Sequence, residues 1–165
     1  MKRFSLILLT AMLLFLPLAS VAKNPSVKDL YKEFSSAPKA ETVSVSPLLM
    51  KLAHMCIGND PDAKIVRKIK SVKLLDLEDC SREVRKRFAD RAGSVQIKDM
   101  DELVSVSDDG DKLKVFAKIK SENITKLLVL CYGKEDCCLI EINGKFDMND
   151  IEGVVKSQKP RKNGR

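Results

Sequence analysis

The stretch from Glu102 to Asn143 constrains this chain more than any other, because it runs through several alternating apolar and polar segments broken only by turn residues. Glu102 to Ser107 reads as a strand and Asp108-Asp109-Gly110-Asp111 as a turn. Leu113, Val115, Ala117 and Ile119 then alternate with Lys112, Lys114, Phe116 and Lys118, the period of a strand with two unlike faces. Beyond Ser121-Glu122-Asn123 a further strand runs from Ile124 to Tyr132. Gly133 to Asp136 turns the chain, and Cys137 to Asn143 returns, ended by Gly144. Connections this short join antiparallel strands, since a parallel crossover needs about a dozen residues.

The residues upstream alternate helix and strand signals. Ser26 caps a helix to about Phe34, with Asp29 three residues on and Leu30, Tyr31 and Phe34 as its apolar side. Thr42 to Val45 is a brief strand. Ser46-Pro47 starts a helix by supplying a hydroxyl acceptor and then a residue with no N–H to orphan. Leu48, Leu52 and Met55 share one face, with Leu49 and Cys56 beside them, and this stripe predicts a buried helix. Gly58-Asn59 ends it. Asp60-Pro61 opens a shorter helix carrying Ile65, Val66 and Ile69. Ser71 to Glu78 is a strand whose apolar pattern changes phase, from Val72 and Leu74 to Leu75 and Leu77, which predicts burial on both faces or a bulge. Asp79 or Ser81 caps a helix with Val84, Phe88 and Ala92 inside, basic residues outside and Gly93 at its end. Asp147 caps a closing helix that contains Ile151, Val154 and Val155. The expectation is an α+β domain, a mainly antiparallel sheet with helices packed on at least one face and ferredoxin-like in part.

The amino terminus reads as a secretory leader. Lys2 and Arg3 precede an almost wholly apolar run from Phe4 to Leu18, and Ser20-Val21-Ala22 supplies the small residues of a cleavage site. Residues 1–22 are the expected signal peptide, 23–155 a single domain, and 156–165 a basic flexible tail. The chain is then expected outside the cytoplasm, periplasmic or extracellular, with no integral membrane segment after cleavage. Two of the 30 basic residues and none of the 23 acids lie in the leader, so the remainder carries a net charge of +5. That mild excess does not specify nucleic acid, and with no Trp and two Tyr the chain lacks stacking platforms for bases.

The segments Thr42-Val43-Ser44-Val45-Ser46-Pro47, Ile69 to Glu78, and Glu102-Leu103-Val104-Ser105-Val106-Ser107-Asp108-Asp109-Gly110 carry a resemblance. So do the alternating run through Ile142 and the closing Gly144-Lys145-Phe146-Asp147. Together they resemble a family of exported Bacteroidetes proteins catalogued as a domain of unknown function. The resemblance covers nearly the whole chain after the leader. It implies a small α+β domain and offers no catalytic residues to carry over.

The residues themselves give no catalytic constellation. His54, the one histidine, and Cys56 lie two apart on a helix and point about 200° away from each other, so they do not share a metal. The close thiolate pairs of zinc sites and the Cys-x-x-Cys of redox enzymes are both missing. Asp108, Asp109 and Asp111 sit in a hairpin turn without the calcium-loop spacing. No cofactor is expected. Arg82, Arg85, Lys86, Arg87 and Arg91 make a basic helix face whose simplest role is solvation. The chain has five cysteines, so one stays unpaired in a monomer. A tight turn at Gly133 to Asp136 sets Cys131 opposite Cys138, as either a cross-strand disulfide or two free thiols. Cys56 and Cys80, both at helix ends, are a second candidate bridge.

The sheet faces carry the functional expectation. Leu113, Val115, Ala117 and Ile119, with Leu127, Val129, Cys131, Cys138, Ile140 and Ile142, are assigned to the helix side. The other side then presents Phe116, Leu128, Leu130, Tyr132 and Leu139 among lysines, too apolar for free solvation. This candidate binding surface suits a noncatalytic module that takes an envelope protein or small ligand, or a second copy. The alternatives are an enzyme of unrecognised type with a cleft between sheet and helices, and a structural or assembly protein.

Overall fold

A computed structural model describes residues 24–56, 64–134, 136–147, 149 and 150. Among the described residues four helices, α1 (Val27–Phe34), α2 (Pro47–Cys56), α3 (Lys64–Lys68) and α4 (Arg82–Gly93), accompany six strands. The strands are β1 (Glu41–Val45), β2 (Ile69–Asp76), β3 (Asp101–Asp108), β4 (Asp111–Lys120), β5 (Asn123–Tyr132) and β6 (Cys138–Phe146). They form one antiparallel sheet in the order β1-β2-β6-β5-β4-β3. Four strands follow as a meander and the β1–β2 pair joins through β2 beside β6, so every neighbouring pair but β2–β6 is consecutive, unlike the interleaved ferredoxin-like order. The α+β architecture expected from the sequence is the one observed.

The local signals explain the elements. Ser26 and Asp29 form a reciprocal cap on α1: the Ser26 hydroxyl accepts from the Asp29 N–H, and the Asp29 carboxylate accepts from the Ser26 N–H at 2.9 Å. Ser81 caps α4 by accepting from the Val84 N–H. Asp109 and Gly110 both adopt positive φ in the two-residue β3–β4 turn, where glycine relieves the strain. Ser121 and Glu122 do the same between β4 and β5 without a glycine, and the Asn123 amide steadies the turn by donating to the Ser121 carbonyl. Gly144 does not end β6. It lies inside the strand, where the Phe146 ring and the Lys68 carbonyl fill the space a Cβ would need.

The core lies between the sheet and two helices. Leu30 and Phe34 of α1 and Phe88 and Ala92 of α4 pack on Leu75, Leu77, Leu128, Leu130, Tyr132 and Leu139. Phe34 and Phe88 meet edge to face at 5.2 Å between centroids. Glu33 joins the helices further by accepting from Arg91 at 3.1 Å and pairing with Arg87 at 3.5 Å. Two of the basic α4 residues therefore hold α1 in place as well as facing water. The phase change in β2 follows from this layering. Leu75 and Leu77 enter the core, Val72 and Leu74 belong to the opposite side of the sheet, and the register shifts between Ile69 and Ser71.

Two further expectations are corrected. Helix α2 is not buried on its leucine stripe: Leu48 is 69 % exposed and Met55 81 %, with Leu49 and Leu52 also exposed, while Met50 turns inward. The helices also cover the opposite side of the sheet from the one assigned to them. Phe116, Leu128, Leu130, Tyr132 and Leu139 are core residues beneath α1 and α4, not a free surface. The lysines on that side misdirect the reading, because their stems lie at the margin of the core while their ammonium groups reach partners. Lys114 meets Glu102 at 3.2 Å, Lys126 meets Glu141 at 2.9 Å, and Lys73 and Lys112 lie over the rings of Tyr31 and Tyr132.

Candidate binding surface

The register of the sheet builds the face that α1 and α4 leave open. One line of opposed residues crosses all six strands as Val43, Leu74, Ile140, Val129, Val115 and Val104. A second runs through Val45, Val72, Ile142, Leu127 and Ala117. A third carries Cys138, Cys131, Leu113 and Val106, with Glu41 and Asp76 at its β1 end. Val43, Val104, Val106, Leu113 and Ile119 are exposed, and most of their neighbours are half-buried. At one end the face closes over: Ala117, Ile124 and Phe146 are buried with Ile65 of α3, Ile69 and Leu103. The extra residue that places Leu103 there is a bulge between Glu102 and Val104.

Charge is segregated between the two sides of the sheet. Lys112, Lys114, Lys118, Lys73 and Lys126 share the helix-side phase, whereas the first line of the open face contains no ionisable residue and the second meets one only at its β3 end, where Asp101 lies opposite Ala117. Strands ~4.8 Å apart and like-facing residues ~6.8 Å apart give a patch of roughly 25 by 20 Å, about 500 Å². That is near the upper end of what a monomer leaves exposed without a partner.

The thiols divide by position. Cys131 and Cys138 are opposed in the β5–β6 register at the margin of the open face, as the turn length predicts, and both are free. The thiol–thiol hydrogen bond with Cys138 holds Cys131 below the usual thiol range; the same bond, together with burial, pushes Cys138 up. Cys137 points the other way into the core, where its thiol donates to the Arg85 and Gly133 carbonyls and burial raises its pKa. Cys80 is a buried free thiol in the same core, also raised by burial. Cys56 ends α2, and its side chain lies outside the described residues.

A cavity of about 620 Å³ between α2, α3 and the strand ends is the natural place for an enzymatic cleft. Three of its lining side chains, His54, Lys68 and Asp147, are engaged in hydrogen bonds or ion pairs. His54 Nε2 lies 2.9 Å from the Val66 carbonyl, and Lys68 donates to Asp147 at 2.9 Å and to Asp150 at 2.6 Å. These hydrogen bonds, Asp150 foremost, hold Lys68 above its ordinary pKa, and the Lys68 bond holds Asp147 below its own. Asp147 and Asp150 also cap each other's N–H groups; Ile151, Val154 and Val155 of the expected closing helix lie outside the described residues. Among the described residues no group of three or more His, Cys, Asp or Glu side chains is arranged to hold a metal ion. None of their helices is long and apolar enough to cross a membrane.

The sequence matches the family Domain of unknown function (DUF4252) over residues 31–154. No curated protein and no solved structure matches it significantly.

Proposed function

We propose, from the premise that this chain belongs to the DUF4252 family of domains of unknown function, that it is a noncatalytic exported envelope protein. Its working surface is the open sheet face, and its occupant is a second copy of the same face. The observation that carries this reading is the apolar face whose first line crosses every strand without a charge and whose carboxylates, Glu41, Asp76 and Asp101, lie only toward its borders. A flat face of this kind suits another sheet, which stacks on it at ~10 Å with interdigitated side chains, better than a small molecule, which needs a concave site. Two such faces together bury about 1,000 Å², the lower bound for a specific interface. The charge distribution favours like meeting like. A chain of net charge +7, or +5 without its leader, repels its own copy except where lysines are kept away, and they are kept off this face. The leader-like residues 1–22 support export and lie outside the described residues.

The test is to express the full chain in a Gram-negative host, recover it from the periplasm and measure intact mass and sedimentation equilibrium. The expected product begins at Lys23 and sediments at twice its chain mass in the tens of micromolar. Val129→Lys and Ile140→Lys are expected to sediment as monomers with an unchanged far-UV spectrum. A wild-type chain that stays monomeric throughout that range overturns the second copy as occupant, and a full-length chain retained in the cytoplasm overturns export.

A further inference from the structure

We infer that Cys131 and Cys138 form a reversible redox pair, closed to a cross-strand disulfide by thiol–disulfide exchange with a low-molecular-weight disulfide. The proposal rests on the foregoing reading only for the oxidising surroundings that export supplies; the chemistry belongs to the pair itself. The two residues are opposed in register at the last rung before the β5–β6 connection, and both are partly accessible from the open side of the sheet. The other thiols with described side chains are placed differently. Cys80 is 5 % exposed and Cys137 1 %, both within the core under α1 and α4.

The opposed pair supplies both an attacking and a resolving sulfur. Cys131, which its opposed neighbour Cys138 holds below the usual thiol range, is taken as the sulfur that attacks first. The Cys131 thiolate bonds to one sulfur of the disulfide RSSR, the S–S bond breaks, and RS⁻ leaves and takes up a proton. Cys138 then loses its proton and attacks the Cys131 sulfur, expelling the second RS⁻, which is protonated in turn. Two protein thiols are oxidised and one RSSR is reduced to two RSH. Directly opposed residues on antiparallel strands hold their Cβ atoms ~4.5–5.5 Å apart, against ~3.8 Å in a relaxed disulfide. Closing the bond draws the strands together, and strained disulfides are the ones readily reduced again. The product is therefore a labile link and not a permanent staple.

The experiment uses the full chain, oxidised glutathione as the probe and trypsin mapping as the readout. Cleavage after Lys126, Lys134 and Lys145 places Cys131 in one peptide and Cys137 with Cys138 in the next. The expected result is a single species joining peptides 127–134 and 135–145, formed equally in Cys137→Ala and separated by mild reduction. Cys138→Ala is expected to stop at a stable mixed disulfide on Cys131, and Cys131 to be alkylated at least ~10-fold faster than Cys80 or Cys137. The wild-type map requires no variant to fold. Linkage that disappears in Cys137→Ala, or the absence of any linked species while the far-UV spectrum stays native, overturns the proposal. The readout does not depend on association, so its failure is separate from failure of the dimer.

Discussion

Adjacent residues of β5 offer a sharp test of which side of the sheet is the core. Leu130 is fully buried between Leu139 and the Lys114 stem, beneath α1 and α4, whereas Val129 points to the open face. Leu130→Ala deletes three carbons from a closed environment. At ~0.8 kcal/mol per methylene the transfer loss is about 2.4 kcal/mol, and the cavity left between sheet and helices adds to it, so the total is about 3–4 kcal/mol. Val129→Ala deletes two carbons from a half-exposed site and leaves no enclosed void, so its cost to the single chain is about 1 kcal/mol. Urea unfolding followed by far-UV circular dichroism measures both. It is run at a concentration low enough to dissociate any dimer and again at ten times that concentration. The Leu130 loss is expected to be the same at both concentrations. The Val129 loss is expected to grow at the higher one, where the face has an occupant to lose. Equal losses for the two variants at the lower concentration would show that helices cover the Val129 side, and the layering described above would be wrong.

Two further outcomes follow from local geometry. The Tyr31 hydroxyl donates to the Lys73 carbonyl at 3.0 Å and the Leu139 carbonyl at 3.2 Å, and burial, with Glu141 and Cys138 nearby, raises its pKa well above the usual tyrosine value. A raised folded-state pKa contributes stability that is complete below the unfolded value of ~10 and lost as pH rises through the folded one, so Tyr31→Phe should lower neutral-pH stability by about 1 kcal/mol and flatten the alkaline limb of a stability–pH curve. The double substitution Ser121→Asn, Glu122→Gly puts residues suited to positive φ at both turn positions and should raise stability by about 1–2 kcal/mol in the same urea assay; no gain would mean that this turn is not strained.

The sequence was most legible where backbone chemistry speaks locally. Ser26 with Asp29, Ser81 and Asp109-Gly110 act through groups within a few residues, so their caps and turn can be read without knowing the fold. The Cys131–Cys138 register was legible for the same reason, since turn length alone sets it. The choice of buried face was not local. Both sides of β5 are apolar, and the deciding facts are volume and reach. Phe116 and Tyr132 give one side the bulk that two helices need to pack against, and lysine stems follow that bulk to its rim. A lysine alternating with apolar residues signals a boundary as readily as a solvated surface. Helix α2 failed similarly, because an apolar stripe records what a helix is able to bury and not whether a neighbour is present. The side with Phe116, Leu128, Leu130, Tyr132 and Leu139, which the sequence pattern suggests is open, is therefore the covered one.

Because α1 and α4 occupy one side of the sheet, each chain has a single side on which another layer can be laid. Two copies meeting there consume both free sides, and no third copy finds a place to stack. Growth by the other route, strand beside strand, is discouraged at the β3 border by Asp101, Glu102 and Asp108 and by the bulge at Leu103. For the proposed dimer the architecture thus discourages growth by stacking and at the β3 border, and association is expected to end at a pair.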